Sequence, residues 1–394
     1  MTDPGPPVTV RSQAVVLESR PEAPPAGSAA ARLLATDVAG LRALTERAGP
    51  ADVDRALRQP RRGLPELAVL VSEAAAGRLE DMAQAAHRLT VQRFGRAIRL
   101  FAPLYLSNEC VSTCTYCGFS AGNEIVRRTL SPEEVRVEAE ELVARGFRHL
   151  LLVAGEHPRL VGKDYLVACV EALAPIVPEL SVEVQVWDEA MYRRLVAAGC
   201  DGLVVYQETY DRSTYASVHL KGKKRNYDWR LAAPDRGAAA GMRRLGIGAL
   251  LGLDGDWRAD ALALGAHADA LIRRWWRTEV SVSLPRLKPA AGDYEPLQPV
   301  ADADLAQLVC ALRLCLPDVG ITLSTREPAE LRDGLLRLGI TTMSAGSHTE
   351  PGGYAGPSDA EPQFAIADER SPAEVATMLR QAGYDAVWKD WQRS

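Results

Sequence analysis

The sequence predicts an α/β chain built as a closed, TIM-like (β/α)8 barrel behind an N-terminal helical extension. Three observations carry this prediction. Between residues 104 and 344, eight short apolar, β-branched runs alternate with amphipathic segments of helical length, the rhythm of parallel strands joined by helical crossovers. Eight such strands can close on themselves and leave no exposed edge. Nearly every run also ends in polar or reactive residues, as expected of a fold that builds its site at the C-terminal ends of its strands.

In chain order, residues 1–35 are rich in Pro, Ala and Gly without apolar periodicity, which predicts a mobile tail that carries no chemistry. Residues 36–95 form the predicted helical extension. Leu64, Leu67, Ala68 and Val71 recur at helical spacing there, and Pro60 and Gly63 break the stretch into short helices. The barrel with a C-terminal extension is expected over 96–394. Its strand candidates are Leu104–Leu106, Leu150–Ala154, Val182–Val186, Leu203–Tyr206, Ile247–Leu251, Val280–Leu284, Ile321–Ser324 and Thr341–Ser344. The first runs into Ser107-Asn108-Glu109-Cys110, the second into Gly155-Glu156-His157, and the third contains Glu183-Val184-Gln185. The fourth ends in Gln207-Glu208-Thr209-Tyr210, the sixth in Pro285-Arg286, the seventh in Thr325-Arg326-Glu327 and the eighth in Ser344-Ala345-Gly346-Ser347.

The 394 residues allow one large barrel or two ordinary domains. With 47% hydrophobic and 25% charged residues and a formal net charge of −5, the chain is expected to bind neither nucleic acid nor an anionic membrane, and a small-molecule site is sought instead. No basic, apolar leader stands out near the start, so the expected compartment is the cytoplasm. Seven cysteines, an odd number, point to reduced thiols or metal ligation rather than a disulfide framework. Cys169, Cys200, Cys310 and Cys315 are scattered singly among apolar residues and are expected to be buried and inert.

The other three cysteines stand together. Cys110, Cys114 and Cys117 form a C-x3-C-x2-C sequence directly after the first strand, followed by Gly118, which gives the backbone room to close a loop. Soft thiolates at this spacing can wrap one face of an iron–sulfur cluster. A structural zinc site normally needs four closed ligands, and the nearest histidine, His149, sits in a separate element. Three thiolates on a [4Fe–4S] cluster leave one iron open. The rival readings are a zinc site completed from elsewhere in the fold and three cysteines that merely share a loop.

The C-x3-C-x-aromatic-C spacing resembles the signature of the radical S-adenosylmethionine superfamily. More narrowly, from about residue 60 the chain resembles the 2-iminoacetate synthases, the tyrosine lyases of thiamine thiazole synthesis. The matching words include Ala102-Pro103-Leu104-Tyr105-Leu106-Ser107-Asn108, Tyr116-Cys117-Gly118-Phe119-Ser120, Tyr206-Gln207-Glu208-Thr209-Tyr210, His219-Leu220-Lys221-Gly222-Lys223-Lys224, Ser324-Thr325-Arg326-Glu327 and Trp388-Lys389-Asp390-Trp391. The resemblance implies that Cys110, Cys114 and Cys117 hold the [4Fe–4S] cluster. It implies that the backbone of Tyr116 meets the adenine of S-adenosylmethionine and that Gly155 and Glu156 hold its methionine amino group. Arg326 would grip the substrate carboxylate, with Tyr105 and Ser344 as partners for the substrate amino acid. Gln185 is a further candidate contact to the cofactor. Gln207, Glu208 and Tyr210 either line the ribose or order the following loop, and Arg286 is either a second anion contact or a structural salt bridge. Lys221, Lys223, Lys224 and Arg225 read as a solvated loop face, with docking of a partner or electron donor as the alternative.

The implied reaction is reductive cleavage of S-adenosylmethionine to methionine and a 5′-deoxyadenosyl radical. That radical takes a hydrogen from the tyrosine amino group, and Cα–Cβ scission gives 2-iminoacetate and 4-cresol. The implied partners are a thiazole synthase and a flavodoxin or ferredoxin-type electron donor. The tryptophan lyase of thiopeptide synthesis shares the core and is the alternative. The lyase that matures [FeFe]-hydrogenase carries further cysteines in an added C-terminal domain, and this chain has none after Cys315. A barrel-shaped iron–sulfur scaffold is the non-enzymatic alternative.

Overall fold

The computed structural model describes residues 23–292 and 294–389. Eight parallel strands close into the expected barrel: β1 (Ala97–Ser107), β2 (His149–Ala154), β3 (Glu179–Glu183), β4 (Gly202–Glu208), β5 (Arg244–Ala249), β6 (Glu279–Ser283), β7 (Gly320–Leu323) and β8 (Thr342–Ser344). The ring shuts because β1 pairs with β8 through residues 99–101 and with β2 through 102–107. A ninth parallel strand, β9 (Asp385–Val387), pairs with residues 97–99 of β1. Nothing in the sequence reading anticipated it, since three residues with one acidic position carry no strand pattern.

Three strands lie elsewhere than their sequence patterns suggest, among them β5, which covers Arg244–Ala249 rather than 247–251. β1 starts seven residues before Leu104, and β3 covers Glu179–Glu183 rather than 182–186. Residues 181, 183 and 185 would share one face of a continuous strand, so the point at which pairing with β2 stops, at Glu183, decides which of them reach the lumen. Ser181 and Glu183 face inward, and Gln185 lies beyond the strand.

The N-terminal extension is helical as expected, through Val38–Arg47, Pro50–Arg58, Leu64–Leu70, Glu73–Ala76 and Leu79–Phe94. Gly63 starts one of these helices, and the Glu66 carboxylate accepts its backbone N–H at 2.8 Å. The extension packs on the barrel helices Trp257–Arg274 and Asp302–Cys315. Of the expected tail, residues 1–22 lie outside the described residues. The rest departs from expectation: Ala29–Leu34 form a helix that buries Ala29, Ala30 and Leu33 and whose first backbone N–H groups donate to the Asp235 carboxylate at 3.0 and 3.1 Å. A carboxylate at a helix N-terminus satisfies donors that otherwise have no partner. Asp390 and Trp391 also lie outside the described residues, while Trp388 stands edge-on to Phe147. Among the described residues no helix is long and apolar enough to cross a membrane.

The lumen is not filled. Gly246, Ser281, Ser283, Thr322, Thr342 and Ser344 point inward where other barrels place bulky aliphatics. A cavity opens at the C-terminal end, and a second lies below it, sharing Phe101, Leu151, Tyr206, Ser283 and Thr322. A charged floor closes the lower end: Arg244 pairs with Glu179 and Glu279, and Arg99 with Glu279. Burial, with help from Arg244 and Arg99, holds His149 beside them neutral, well below the usual histidine range.

Candidate active site

The three clustered cysteines lie in the loop that follows β1, and this loop is tied down on both sides. On one side Thr115 and Thr113 donate backbone N–H groups to Val218 and Lys221 at 3.0 and 3.2 Å, and Leu220 donates back to Thr113 at 3.1 Å. Cys114 thereby bridges to His219 as a short antiparallel ladder. This is the role of the His219-to-Lys224 segment: it is the second strand of the cysteine loop. Gly222 has φ +91°, and a Cβ there would fall 2.2 Å from Ser112 Oγ, so only glycine lets the two segments approach. On the other side Val111 donates to the carbonyl of Glu156 at 2.8 Å, and Gly155 to the carbonyl of Ser107 at 3.0 Å. Burial first, then the neighbouring Cys117 and Glu156, pushes the Cys110 thiol up to about 11, and burial pushes Cys114 up as well.

Above the loop sits a quartet of buried charges. Glu156 accepts from Ser112 at 3.1 Å and pairs with Arg230 at 3.3 Å. Glu208 pairs with Lys224 at 2.6 Å and lies 3.9 Å from Arg230. Two carboxylates and two cations therefore balance in a dry setting, as buried charges must. Burial works against ionisation of Glu208, but Lys224 and Arg230 outweigh it and hold the carboxyl below its usual range. Glu208 sits at a bulge of β4 and has φ +72°, the one non-glycine residue with positive φ among those described. Strain of this kind persists where the surroundings enforce it, commonly at functional sites. Beside the quartet, the Tyr116 hydroxyl hydrogen-bonds His219 Nε2 at 2.8 Å, and its ring packs in an apolar cluster with Val218, Leu250, Leu253 and Tyr294.

The upper cavity is reached from these groups toward the barrel axis. Arg326 lines it together with Tyr105, Glu183, Tyr206, Ser324 and Ser344. Its guanidinium lies 3.3 Å from the centre of the Phe364 ring, and no carboxylate of the described residues pairs with it. Tyr105 donates to Gln363 Oε1 at 2.8 Å, and Gln363 Nε2 reaches the Cys117 sulfur at 3.9 Å, so one chain of contacts links cavity and cysteine loop. The Ser344 hydroxyl accepts from the Thr325 backbone at 3.0 Å.

The chain is 45% identical over 341 residues to the 2-iminoacetate synthase of Escherichia coli K12, spanning 86% of this chain and 90% of that protein. It belongs to the 2-iminoacetate synthase family. Within this family of radical S-adenosylmethionine enzymes, residues 104–264 match the Radical SAM superfamily model. Residues 283–385 match that of the Biotin and Thiamin Synthesis associated domain. A crystal structure of HydG, a maturase of the [FeFe]-hydrogenase, is similar with a TM-score of 0.83 and 33% identity, covering 89% of this chain and 79% of that one. The HydG of Carboxydothermus hydrogenoformans is 36% identical with a TM-score of 0.78, covering 84% and 77%.

The family's cofactors are a [4Fe–4S] cluster and S-adenosylmethionine, and the residues present fit them. Three thiols share one tethered loop, and among the described residues no three His, Cys, Asp or Glu side chains converge as they would on a single ion. A cluster with irons at separate corners suits three spread thiolates, and its positive charge would ionise thiols that burial keeps protonated. Glu156, Glu208, Arg230 and Lys224 offer both charge signs that a zwitterionic methionine moiety needs.

The structure therefore brings Cys110, Cys114, Cys117, Tyr116, Gly155, Glu156 and Glu208 together at one end of the barrel, and Arg326, Tyr105 and Ser344 in the adjoining cavity. It does not bring Gln185 or Gln207 there. Gln185 is buried and donates to the carbonyl of Val161 at 2.8 Å, and Gln207 is turned toward the Tyr227 carbonyl at 3.5 Å. Lys224 is corrected from a solvated loop residue to a buried ion-pair member, and Arg286 is a structural bridge to Glu327 and Asp302. Glu183 stood out in the sequence only as part of the polar third strand, and Arg230 and Gln363 carried no expected role. Inward alternation with Ser181 would have singled out Glu183 had the end of β3 been known; Arg230 and Gln363 leave no local signal. Cys169, Cys200, Cys310 and Cys315 are buried as expected.

Proposed function

We propose that this chain cleaves the Cα–Cβ bond of L-tyrosine to 2-iminoacetate and 4-cresol, releasing 5′-deoxyadenosine and methionine, and so supplies thiamine thiazole synthesis. When bound, the cluster and S-adenosylmethionine supply a 5′-deoxyadenosyl radical that takes a hydrogen atom from the substrate amine. The observation that carries the reading is Arg326: a guanidinium without a carboxylate partner among the described residues, facing the cavity that adjoins the cysteine loop. Its planar fork suits bidentate capture of an amino-acid carboxylate, and fixing that carboxylate sets the position of the amine. Phe364 holds the fork flat from one side. Phe101, Leu151 and Val153 form an apolar wall for an aromatic ring, and Tyr105 and Ser344 offer hydroxyls at the rim. Glu156 and Arg230 would hold the amino and carboxylate groups of the methionine moiety, with Glu208 and Lys224 beside them as further polar contacts for the cofactor.

A flavodoxin or ferredoxin-type donor docks beside the cysteine loop. Lys221, Lys223 and Arg225 are exposed on the segment paired with Thr113–Cys114–Thr115, and Leu220 and Val111 are exposed as well, a basic rim suited to an acidic partner. A thiazole synthase consumes the reactive imine, and a reducing cytoplasm suits free thiols and an oxygen-sensitive cluster. Anaerobic reconstitution with iron and sulfide, followed by S-adenosylmethionine, dithionite and either tyrosine or tryptophan, tests the reading. Tyrosine yields 4-cresol; release of an indole product from tryptophan, with no 4-cresol from tyrosine, overturns the substrate.

A further inference from the structure

We infer that Glu183 receives the α-ammonium group of the substrate opposite Arg326 and takes a proton from it, leaving the neutral amine for hydrogen-atom abstraction. The inference rests on the function proposed above and adds a residue that the family resemblance did not supply.

Position comes first. β3 and β7 are four strands apart in a ring of eight, so their ends face each other across the lumen. Glu183 is the last residue of β3, and Arg326 follows the end of β7; both line the same cavity. Glu183 is paired with Val153 through its backbone, and its side chain makes no hydrogen bond or ion pair with any described residue. The neighbouring carboxylates differ: Glu156 and Glu208 have cations beside them, and Glu327 has Arg286 and Lys288. Half-buried in the cavity wall, a carboxylate without a protein partner is open to a cationic group of a ligand. An unpaired guanidinium across the same cavity makes the two together the complement of a zwitterion: carboxylate to Arg326, ammonium to Glu183.

Proton affinity agrees with this placement. The groups facing Glu183 are Tyr105 from β1, Tyr206 and Glu208 from β4, Lys224 and Arg230 from the segment after β4, and Arg326 from β7. Burial first and then Glu208 raise its pKa to about 7, against the pull of Arg326, Lys224 and Arg230. An ordinary carboxylate is a poor base toward an ammonium group, and this shift narrows the gap. In the transfer, one N–H bond of the ammonium breaks and its electron pair stays on nitrogen. The proton passes to a Glu183 oxygen, and no electron changes hands. The amine then has the lone pair that stabilises a nitrogen-centred radical.

The test uses the reconstituted full chain with S-adenosylmethionine bound and measures equilibrium binding of L-tyrosine, L-phenylalanine and 3-(4-hydroxyphenyl)propionate, which lacks the amine. Glu183→Gln, nearly isosteric and with no native hydrogen bond to lose, should weaken both amino acids about tenfold and leave the propionate unchanged. In parallel, kcat/KM of the parent should rise with pH through about 7; Glu183→Gln should lose that limb and Glu183→Asp recover it. Equal weakening of all three ligands, or loss confined to the two phenolic ones, overturns the inference. If the parent cleaves tryptophan and not tyrosine, the substrate reading fails. Tryptophan and 3-(indol-3-yl)propionate then judge Glu183 by the same comparison.

Discussion

Gly155→Ala tests whether the end of β2 positions the cysteine loop. A Cβ at residue 155 would lie 2.3 Å from the Glu109 carbonyl oxygen and 3.2 Å from the Cys110 Cβ, where ordinary contact begins near 3.4 Å. The first obstacle is backbone, so no rotamer change relieves it, and the 109–110 segment must move by about 1 Å. That movement is resisted by the hydrogen bonds on either side, Gly155 to Ser107 at 3.0 Å and Val111 to Glu156 at 2.8 Å. Overpacking of this kind costs about 1–3 kcal/mol, equivalent to roughly 5- to 150-fold in an equilibrium constant. Most of the cost should fall on cluster binding, because the displaced segment carries the Cys110 thiol. The assay is iron and sulfide content after anaerobic reconstitution, with a thermal melt of the iron-free protein beside it. The variant should lose at least half of its bound iron at limiting iron while its melting temperature falls by only a few degrees. A variant that takes up iron like the parent would refute the close-approach reasoning; a large fall in melting temperature would place the effect in the barrel rather than the loop.

Arg326→Lys keeps the charge but loses the fork, and should lower kcat/KM for tyrosine by about 10- to 100-fold, with Arg326→Gln lower still; steady-state 4-cresol formation measures both. Reversing the exposed Lys221, Lys223 and Arg225 to glutamate should slow turnover with an acidic flavodoxin about tenfold at low salt and leave the dithionite-driven rate unchanged. Asp260 accepts from the Tyr210 backbone at 2.6 Å and from Thr209 at 3.1 Å, yet burial raises its pKa to about 8. The folded state therefore holds a proton that the unfolded chain releases near pH 4, so stability declines from about pH 4 to about pH 8 and levels off above it. Asp260→Asn should flatten this part of the melting-temperature profile; a profile parallel to the parent's would sink the assignment.

The sequence by itself determined the parts of this protein that rest on local spacing. The C-x3-C-x2-C run places three soft ligands within one loop whatever surrounds it, and eight β-branched runs with helical spacers admit few arrangements besides a barrel. Gly155, Glu156, Arg326 and Ser344 stand at or within three residues of strand ends, where the fold puts its chemistry, but the roles expected of them came from the family resemblance. The tertiary structure alone decided which charges meet. Lys224 looks like its exposed neighbours until the fold sets it against Glu208, and Arg230 lies in the short helix Tyr227–Leu231 with no motif of its own. Gln363 reaches Tyr105 across 258 positions. The choice between Glu183 and Gln185 turned on where β3 ends, a matter of pairing register that β2 sets residue by residue from His149 against Glu179. Glu183 and Gln185 are two positions apart and would share a face in one continuous strand, so alternation cannot choose between them; only the pairing with β2, which stops at Glu183, leaves Gln185 beyond the strand.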